Sequence, residues 1–377
     1  MRSRPVVFIP CPVLPSDYAG WLFQILGIIR RNERAFDFKL IFRPVAPNSG
    51  GVIARVLADF IYALKAWRQI HAERKQAIVV FPVFFFANVI LSFLLAPRVP
   101  YVVRVSGGEL VRGNRFVYFL RRRMIQKSAC AIVLNRSDFV KLGDLGLSSA
   151  VRQYIPNPVD HTFRSPNEVE RRAARSALGF ASADVVIGIV GTQCVRKGQL
   201  DLVRAVAHLG LANTVVVLCG PASGHGEADG EYLRLCAAEA AASNQTLIHI
   251  EFARDVRAIL WSLDIFVLPS LSEGMPNSLL EAMGCGCACV ASDIPGVSDI
   301  ISNGHNGILV KPGSPADLAA ALDSIIQDKE RATSLGQAAE STVRRDYSPE
   351  RIDSEYLSLF RWVWEQTESH QLDGERG

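Results

Sequence analysis

At 377 residues with 49% hydrophobic side chains, the chain is long for one compact core and can bury two. Its net charge of +4 hides a division: residues 1–150 hold 22 Lys and Arg against 8 Asp and Glu, and residues 151–377 hold 19 against 29. A half at +14 joined to a half at −10 points to an anionic partner for the first, with no nucleic acid expected. Cys11, Cys130, Cys194, Cys219, Cys236, Cys285, Cys287 and Cys289 form no C-x-x-C pair, so they read as small core residues and reduced thiols suited to the cytoplasm, not as a metal site.

Arg2 and Arg4 precede an apolar run, but Pro10 and Pro12 end it too soon for a secretory signal. Strands follow at Val6–Ile9, Lys39–Phe42, Ile78–Phe81, Tyr101–Val105 and Ala131–Leu134. Gln76 to Pro97 carries no charge and is long enough to span a bilayer; the favoured reading is a buried strand over Ala77–Phe81, a break near Pro82 and a buried helix over Phe84–Ala96. Past Pro156-Asn157-Pro158-Val159-Asp160 comes a polar, Arg-rich stretch with a helix predicted in Glu168–Leu178. Strands resume at Val185–Val190, Thr214–Cys219, Leu247–Glu251, Ile265–Leu268, Cys289–Ala291 and Gly307–Val310. The alternation with helical patterns predicts α/β architecture with two parallel sheets covered by helices. Ser348, Pro349 and Glu350 open a last helix, in which Ile352, Tyr356, Leu359, Phe360 and Val363 recur at helical spacing, so one face is buried. Glu365 to Gly377 reads as a loose polar tail.

The most informative string is Glu273-Gly274-Met275-Pro276-Asn277-Ser278-Leu279-Leu280-Glu281. Pro276 fits the first helical position, and the amides of Asn277 and Ser278 then face outward from a helix N-terminus, which suits a diphosphate. Glu281 stands five residues past Pro276, roughly 7.5 Å at 1.5 Å per residue, about one ribose from the phosphates. Glu273, on the other side, suits sugar hydroxyls. Two acids alone would be an ordinary strand-to-helix turn; the whole string with Gly284 and Gly286 is more specific.

Here the sequence resembles glycosyltransferase family 4 (glycosyl transferases group 1), whose signature is E-x7-E. Gly191-Thr192-Gln193-Cys194-Val195-Arg196-Lys197-Gly198 is similar to the family's phosphate loop, which makes Lys197 the diphosphate ligand; Thr192 stands where arginine is common, and Arg196 is the candidate to replace its charge. Phe252-Ala253-Arg254-Asp255-Val256 resembles the segment facing the nucleotide base. Asp293–Val297 and Asn306-Gly307 also fit, although turn chemistry explains them equally well. The first half matches less closely: Gly20 alone stands for a glycine pair after the first strand, and Ser106 replaces a histidine in Ser106-Gly107-Gly108-Glu109, which is expected to line the site.

The resemblance implies a GT-B fold: two Rossmann-like domains facing a cleft, with an acceptor domain at 1–158, a donor domain at 159–346, and a segment 347–377 whose helix crosses back to the first. It implies a retaining hexosyl- or N-acetylhexosaminyl-type glycosyltransferase with Glu273 and Lys197 in catalysis. Glu281, Arg196, Gly274, Met275, Pro276, Asn277, Ser278 and Arg254 would bind a nucleotide-sugar. No metal or other cofactor is expected: the chain has no D-x-D, and Asp229-Gly230-Glu231 reads as a surface loop. The acceptor is expected to be a saccharide or lipid-linked saccharide of bacterial surface polysaccharide synthesis. A non-catalytic sugar-nucleotide binder and a GT-B-type epimerase remain alternatives; a dehydrogenase is disfavoured, since no G-x-G-x-x-G follows the first strand of either half. Arg112, Arg115, Arg121, Arg122, Arg123 and Lys127, interleaved with Phe116–Leu120, predict a basic helix resting on anionic lipid, which would make the protein cytoplasmic and peripheral on the membrane.

Overall fold

The structure is a computed structural model and describes residues 5–11, 20–42, 52–82, 86–96, 98–105, 115–148, 151–211, 213–222, 227–253 and 255–374. It divides into two compact units, Met1–Pro158 with Pro349–Gly377, and Val159–Ser348.

In the first unit, β1 (Val6–Cys11), β2 (Asp37–Phe42), β3 (Ala77–Phe81), β4 (Tyr101–Val105), β5 (Cys130–Val133) and β6 (Arg152–Tyr154) form a parallel sheet in the order β2-β1-β3-β4-β5-β6. β1, β3, β4 and β5 are buried along their whole lengths, as parallel strands covered on both faces must be. The sequence did not announce β6, a half-buried edge strand that pairs Ala131 with Arg152 and Val133 with Tyr154. Three helices cover one face: α2 (Val52–Ala72), α3 (Phe86–Leu95) and α4 (Arg115–Gln126) pack inward through Ala66, Ile70, Leu91, Leu95, Met124 and Ile125. Gln76–Pro97 thus holds a strand and a ten-residue helix, and no described helix is long and apolar enough to cross a membrane.

The other face is covered by α1 (Gly20–Asn32) and the final helix α13 (Pro349–Gly374). α13 buries Ile352, Tyr356, Leu359, Phe360 and Val363 against Val7, Ile9, Ile78 and Val80. Phe360 meets Phe36 edge-on at 5.6 Å, and Asp353 accepts from Arg31 Nε at 2.6 Å. The expected loose tail is corrected here: the helix continues from Glu365 to Gly374, because no Gly or Pro interrupts it before that point.

The second unit opens with α6 (Glu168–Ala177), which follows α5 (Arg136–Asp144) of the first unit. Asn167 and Glu170 form a reciprocal capping box on α6. Arg171 and Arg175 of this helix reach Asp264 at 2.6 and 3.1 Å, and Asp264 also accepts from the Val186 amide, which fixes α6 to the sheet. That sheet consists of β7 (Val185–Val190), β8 (Thr214–Cys219), β9 (Thr246–Ile250), β10 (Ile265–Leu268), β11 (Ala288–Ser292) and β12 (Ile308–Val310), all parallel, in the order β12-β11-β10-β7-β8-β9. Between and after the strands lie α7 (Gln199–Leu209), α8 (Glu227–Ala242), α9 (Val256–Ser262), α10 (Asn277–Gly284), α11 (Pro315–Ile326) and α12 (Lys329–Asp346). Asp229-Gly230-Glu231 lies in the first turn of α8, not in the expected loop. Cys219, Cys236, Cys285, Cys287 and Cys289 are buried in this unit's core, and all eight cysteines are free thiols. Both units are Rossmann-like parallel-sheet domains.

Candidate functional site

The second sheet changes its direction of winding between β7 and β10: β8 and β9 lie to one side, β11 and β12 to the other. In open α/β sheets, ligands bind beyond the carboxyl ends of the strands at such a switch point. The two loops that emerge there are those carrying the sequence motifs.

The loop after β7 is pinned at several points. Gln193 is fully buried; its Nε2 donates to the Gly191 carbonyl at 3.0 Å, and its backbone amide donates to the Pro221 carbonyl at 2.9 Å. Gln199, also fully buried, donates to the Thr192 carbonyl at 2.9 Å. Val195–Lys197 make one 3₁₀ turn, ended by Gly198 at φ +71°. A Cβ there would run into the Pro269 carbonyl, so this position requires glycine for both its backbone and its space. The Leu271 amide donates to the Arg196 carbonyl at 2.8 Å and clasps the β7 loop to the β10 loop.

The clasp brings the charged side chains together. Lys197 Nζ lies 2.7 Å from Glu273 Oε1, and an Arg196 guanidinium nitrogen lies 3.3 Å from the same oxygen. Arg196 also donates to the Ser272 carbonyl at 2.7 Å, which gives this side chain a definite direction. The Lys197 and Glu273 side chains are only 12% and 8% exposed, whereas Arg196 is 41% exposed. Two cations therefore share one carboxylate at the mouth of the switch point, and only one of them is deeply seated.

Beside them starts α10. Pro276 is not the first helical residue: with φ −81° and ψ 95° it is the extended N-cap, and Asn277 is first in the helix. The Pro276 carbonyl accepts from the Leu279 and Leu280 amides, and the Pro276 side chain makes no capping hydrogen bond. The positive end of the helix dipole favours an anion there. Gly296, at φ +87°, brings the Asp293–Val297 turn against the loop, since a Cβ there would lie 2.6 Å from the Gly274 carbonyl. Met275 packs partly buried against the core, next to Gly274. Glu281 is half-buried on α10, and burial alone raises its pKa from 4.5 to about 7. A carboxylate held this way gains most from a ligand that donates hydrogen bonds to it.

Lys197, Arg196, Glu273 and the Gly274–Ser278 segment therefore converge, with Glu281 one turn along the helix from Asn277. Ser106, Gly107, Gly108, Glu109 and Arg254 lie outside the described residues. Gly20 is the first residue of α1, in the other unit. Beside Arg254, Asp255 accepts from the Arg257 amide as N-cap of α9. The sequence reading did not single out the bracing side chains Gln193 and Gln199, and no motif marks them.

Residues 170–342 match the family described as glycosyl transferases group 1. The second unit is thus similar to the glycosyl transferases group 1 family over most of its length. Among its relatives is the D-inositol 3-phosphate glycosyltransferase of Stackebrandtia nassauensis, 30% identical over 49% of this chain and 43% of that protein. Another is the N,N'-diacetylbacillosaminyl-diphospho-undecaprenol alpha-1,3-N-acetylgalactosaminyltransferase of Campylobacter jejuni, 36% identical over 31% of each chain. The chain thus spans less than half the length of these two curated relatives. The fold is that of Anabaena HepE, solved in complex with UDP and glucose: TM-score 0.80, 15% identity, 95% of this chain and 100% of that one. The two Rossmann-like parallel-sheet domains are those of the GT-B fold.

Proposed function

We propose that this chain transfers a sugar from a nucleotide-sugar, held in the second unit, to a saccharide or lipid-linked acceptor, with retention of anomeric configuration. The observation that carries the reading is the convergence of Lys197, Arg196 and Glu273 beside the N-terminus of α10 at the sheet's switch point. The diphosphate takes the place between the cations and the helix amides, where positive charge stabilises the developing anion as the sugar bond breaks. Glu281 accepts from ribose hydroxyls. Glu273, with one oxygen already held by two cations, is a poor covalent nucleophile and a good acceptor for sugar hydroxyls. The acceptor hydroxyl then enters on the face the diphosphate leaves, through an oxocarbenium-like state. Lys197, Arg196 and the amides supply the charge that a divalent cation supplies elsewhere, so the transfer needs no added metal.

UDP in the HepE crystal makes uridine diphosphate the first nucleotide to test, and the undecaprenol in the Campylobacter relative's name supports a lipid-linked acceptor. The assignment is tested by calorimetric titration with UDP, GDP and ADP. One of them should bind, and Lys197→Ala should weaken it by at least about ten-fold, the loss of one charge-assisted contact. Failure of all three to bind would contradict the proposal.

A further inference from the structure

The first unit carries a surface that donor binding does not use. α2, α3 and α4 lie side by side in one layer, because their inner faces share one core with β1, β3 and β4. On the outside of α2, Val56, Leu57, Phe60 and Ile61 are 45–57% exposed. Their spacing of one, four and five residues places them on a single stripe. Phe93 and Leu94 are exposed at the end of α3, and Phe116 and Phe119 on α4 are 64% and 54% exposed. Apolar exposure on this scale, concentrated on one layer, marks a contact surface.

Its charge decides what the surface contacts. On α4, Arg115, Arg122 and Arg123 stand at one-, three- and four-residue spacings from Phe116 and Phe119 and share their exposed face; the helix has no acidic residue. Lys127 Nζ sits 5.8 Å over the Phe93 ring and joins the outer edges of α3 and α4. Exposed rings interleaved with cations fit the headgroup region of an anionic bilayer, the rings entering the acyl boundary and the cations meeting phosphate. A second copy of the chain would bring one basic face against another, which repulsion opposes.

We infer that the α2–α3–α4 face docks on an anionic lipid surface. The inference stands on the first unit alone and does not depend on the donor reading.

The test is co-sedimentation of the full chain with vesicles of phosphatidylcholine alone or mixed with phosphatidylglycerol, at about 0.05 M and about 0.5 M salt, where the screening length falls several-fold. Binding should require phosphatidylglycerol and fall at least about ten-fold at the higher salt. Arg115→Glu/Arg122→Glu/Arg123→Glu should lose about a hundred-fold or more, since each surface cation contributes about five-fold. Phe116→Gln/Phe119→Gln should lose at least about ten-fold even at low salt, from two rings no longer inserted. Thermal melting reports the fold of each variant, and the single Phe119→Gln change keeps the apolar arm testable if the pair unfolds. Three results would overturn the inference: no sedimentation with either vesicle, equal binding to both without a salt effect, or self-association in light scattering that the Phe variant abolishes while vesicles go unbound. Nucleotide affinity, read in the same samples, distinguishes these failures from failure of the donor site.

Discussion

Glu281 offers a prediction with a sign and a size. Burial moves its pKa from 4.5 to about 7. A carboxyl whose folded pKa is raised contributes full stability below its unfolded pKa and loses it as pH rises through the folded value, here from about 4.5 to about 7. A shift of that size has a ceiling of about 3 kcal/mol; the side chain keeps some solvent, so the observed loss should be about 1–2 kcal/mol. Glu281→Gln should remove this slope in urea unfolding across the window. Binding should run the opposite way. Ribose hydroxyls donating to the carboxylate favour its ionised form, so affinity for the donor should rise up to about ten-fold per pH unit and level off above about 7. An intact nucleotide-sugar is the right probe, because its diphosphate is a diester and does not titrate in this window. Glu281→Gln should bind weakly and without pH dependence. Wild-type affinity that is flat with pH, or that increases toward acid, would refute the placement of ribose at Glu281.

Other residues answer to simpler measurements. Lys197→Ala should lower turnover by ~10²–10³, the usual loss for one donor to a developing anion. It should also lower the melting temperature, because among the described residues Glu273 keeps the more exposed Arg196 as its ion-pair partner, at 3.3 Å. Glu273→Ala should leave free nucleoside diphosphate affinity within about three-fold while sugar-dependent steps fall about ten-fold or more, whereas Glu281→Ala should weaken the free nucleotide; these follow from hydrogen bonds worth about 1 kcal/mol or more at each place. Equal losses of free-nucleotide affinity in both would invert the pose. Gly198→Ala should destabilise by about 1–3 kcal/mol in urea, because φ is +71° and the new methyl meets the Pro269 carbonyl. Unchanged stability would mean that the clasp between the two loops yields easily.

Much of this was legible in the sequence because it is encoded locally. Val185–Val190 and Ile265–Leu268 carry no polar side chain, Thr214–Cys219 and Tyr101–Val105 only Thr214 and Arg104 apart from the ends of the tyrosine and cysteine, and each is a strand over those residues. β6 was hidden because Arg152-Gln153-Tyr154 has no apolar run and becomes a strand only by pairing with β5. Polarity was misread as looseness in Glu365–Gly374, where the absence of breakers mattered more than the absence of apolar residues. The charged cluster was readable as a motif, but its braces were not. Gln193 and Gln199 work by donating to backbone carbonyls, those of Pro221 and Thr192 among them, whose proximity is a product of the fold. The basic helix α4 was likewise visible, while the stripe on α2 emerged only once the fold showed which of its faces was already used.

Retaining transfer from a nucleotide-sugar bound at Lys197, Glu273 and Glu281 can be followed by proton NMR of the protein incubated with UDP-, GDP- and ADP-sugars in excess chelator. One donor should be consumed slowly, releasing nucleoside diphosphate and free sugar that first appears in the donor's own anomeric configuration, and Lys197→Ala should abolish this. Release of the inverted anomer, conversion of the donor to an isomeric nucleotide-sugar, consumption that requires restored magnesium or manganese, or binding with no consumption of any donor would contradict it.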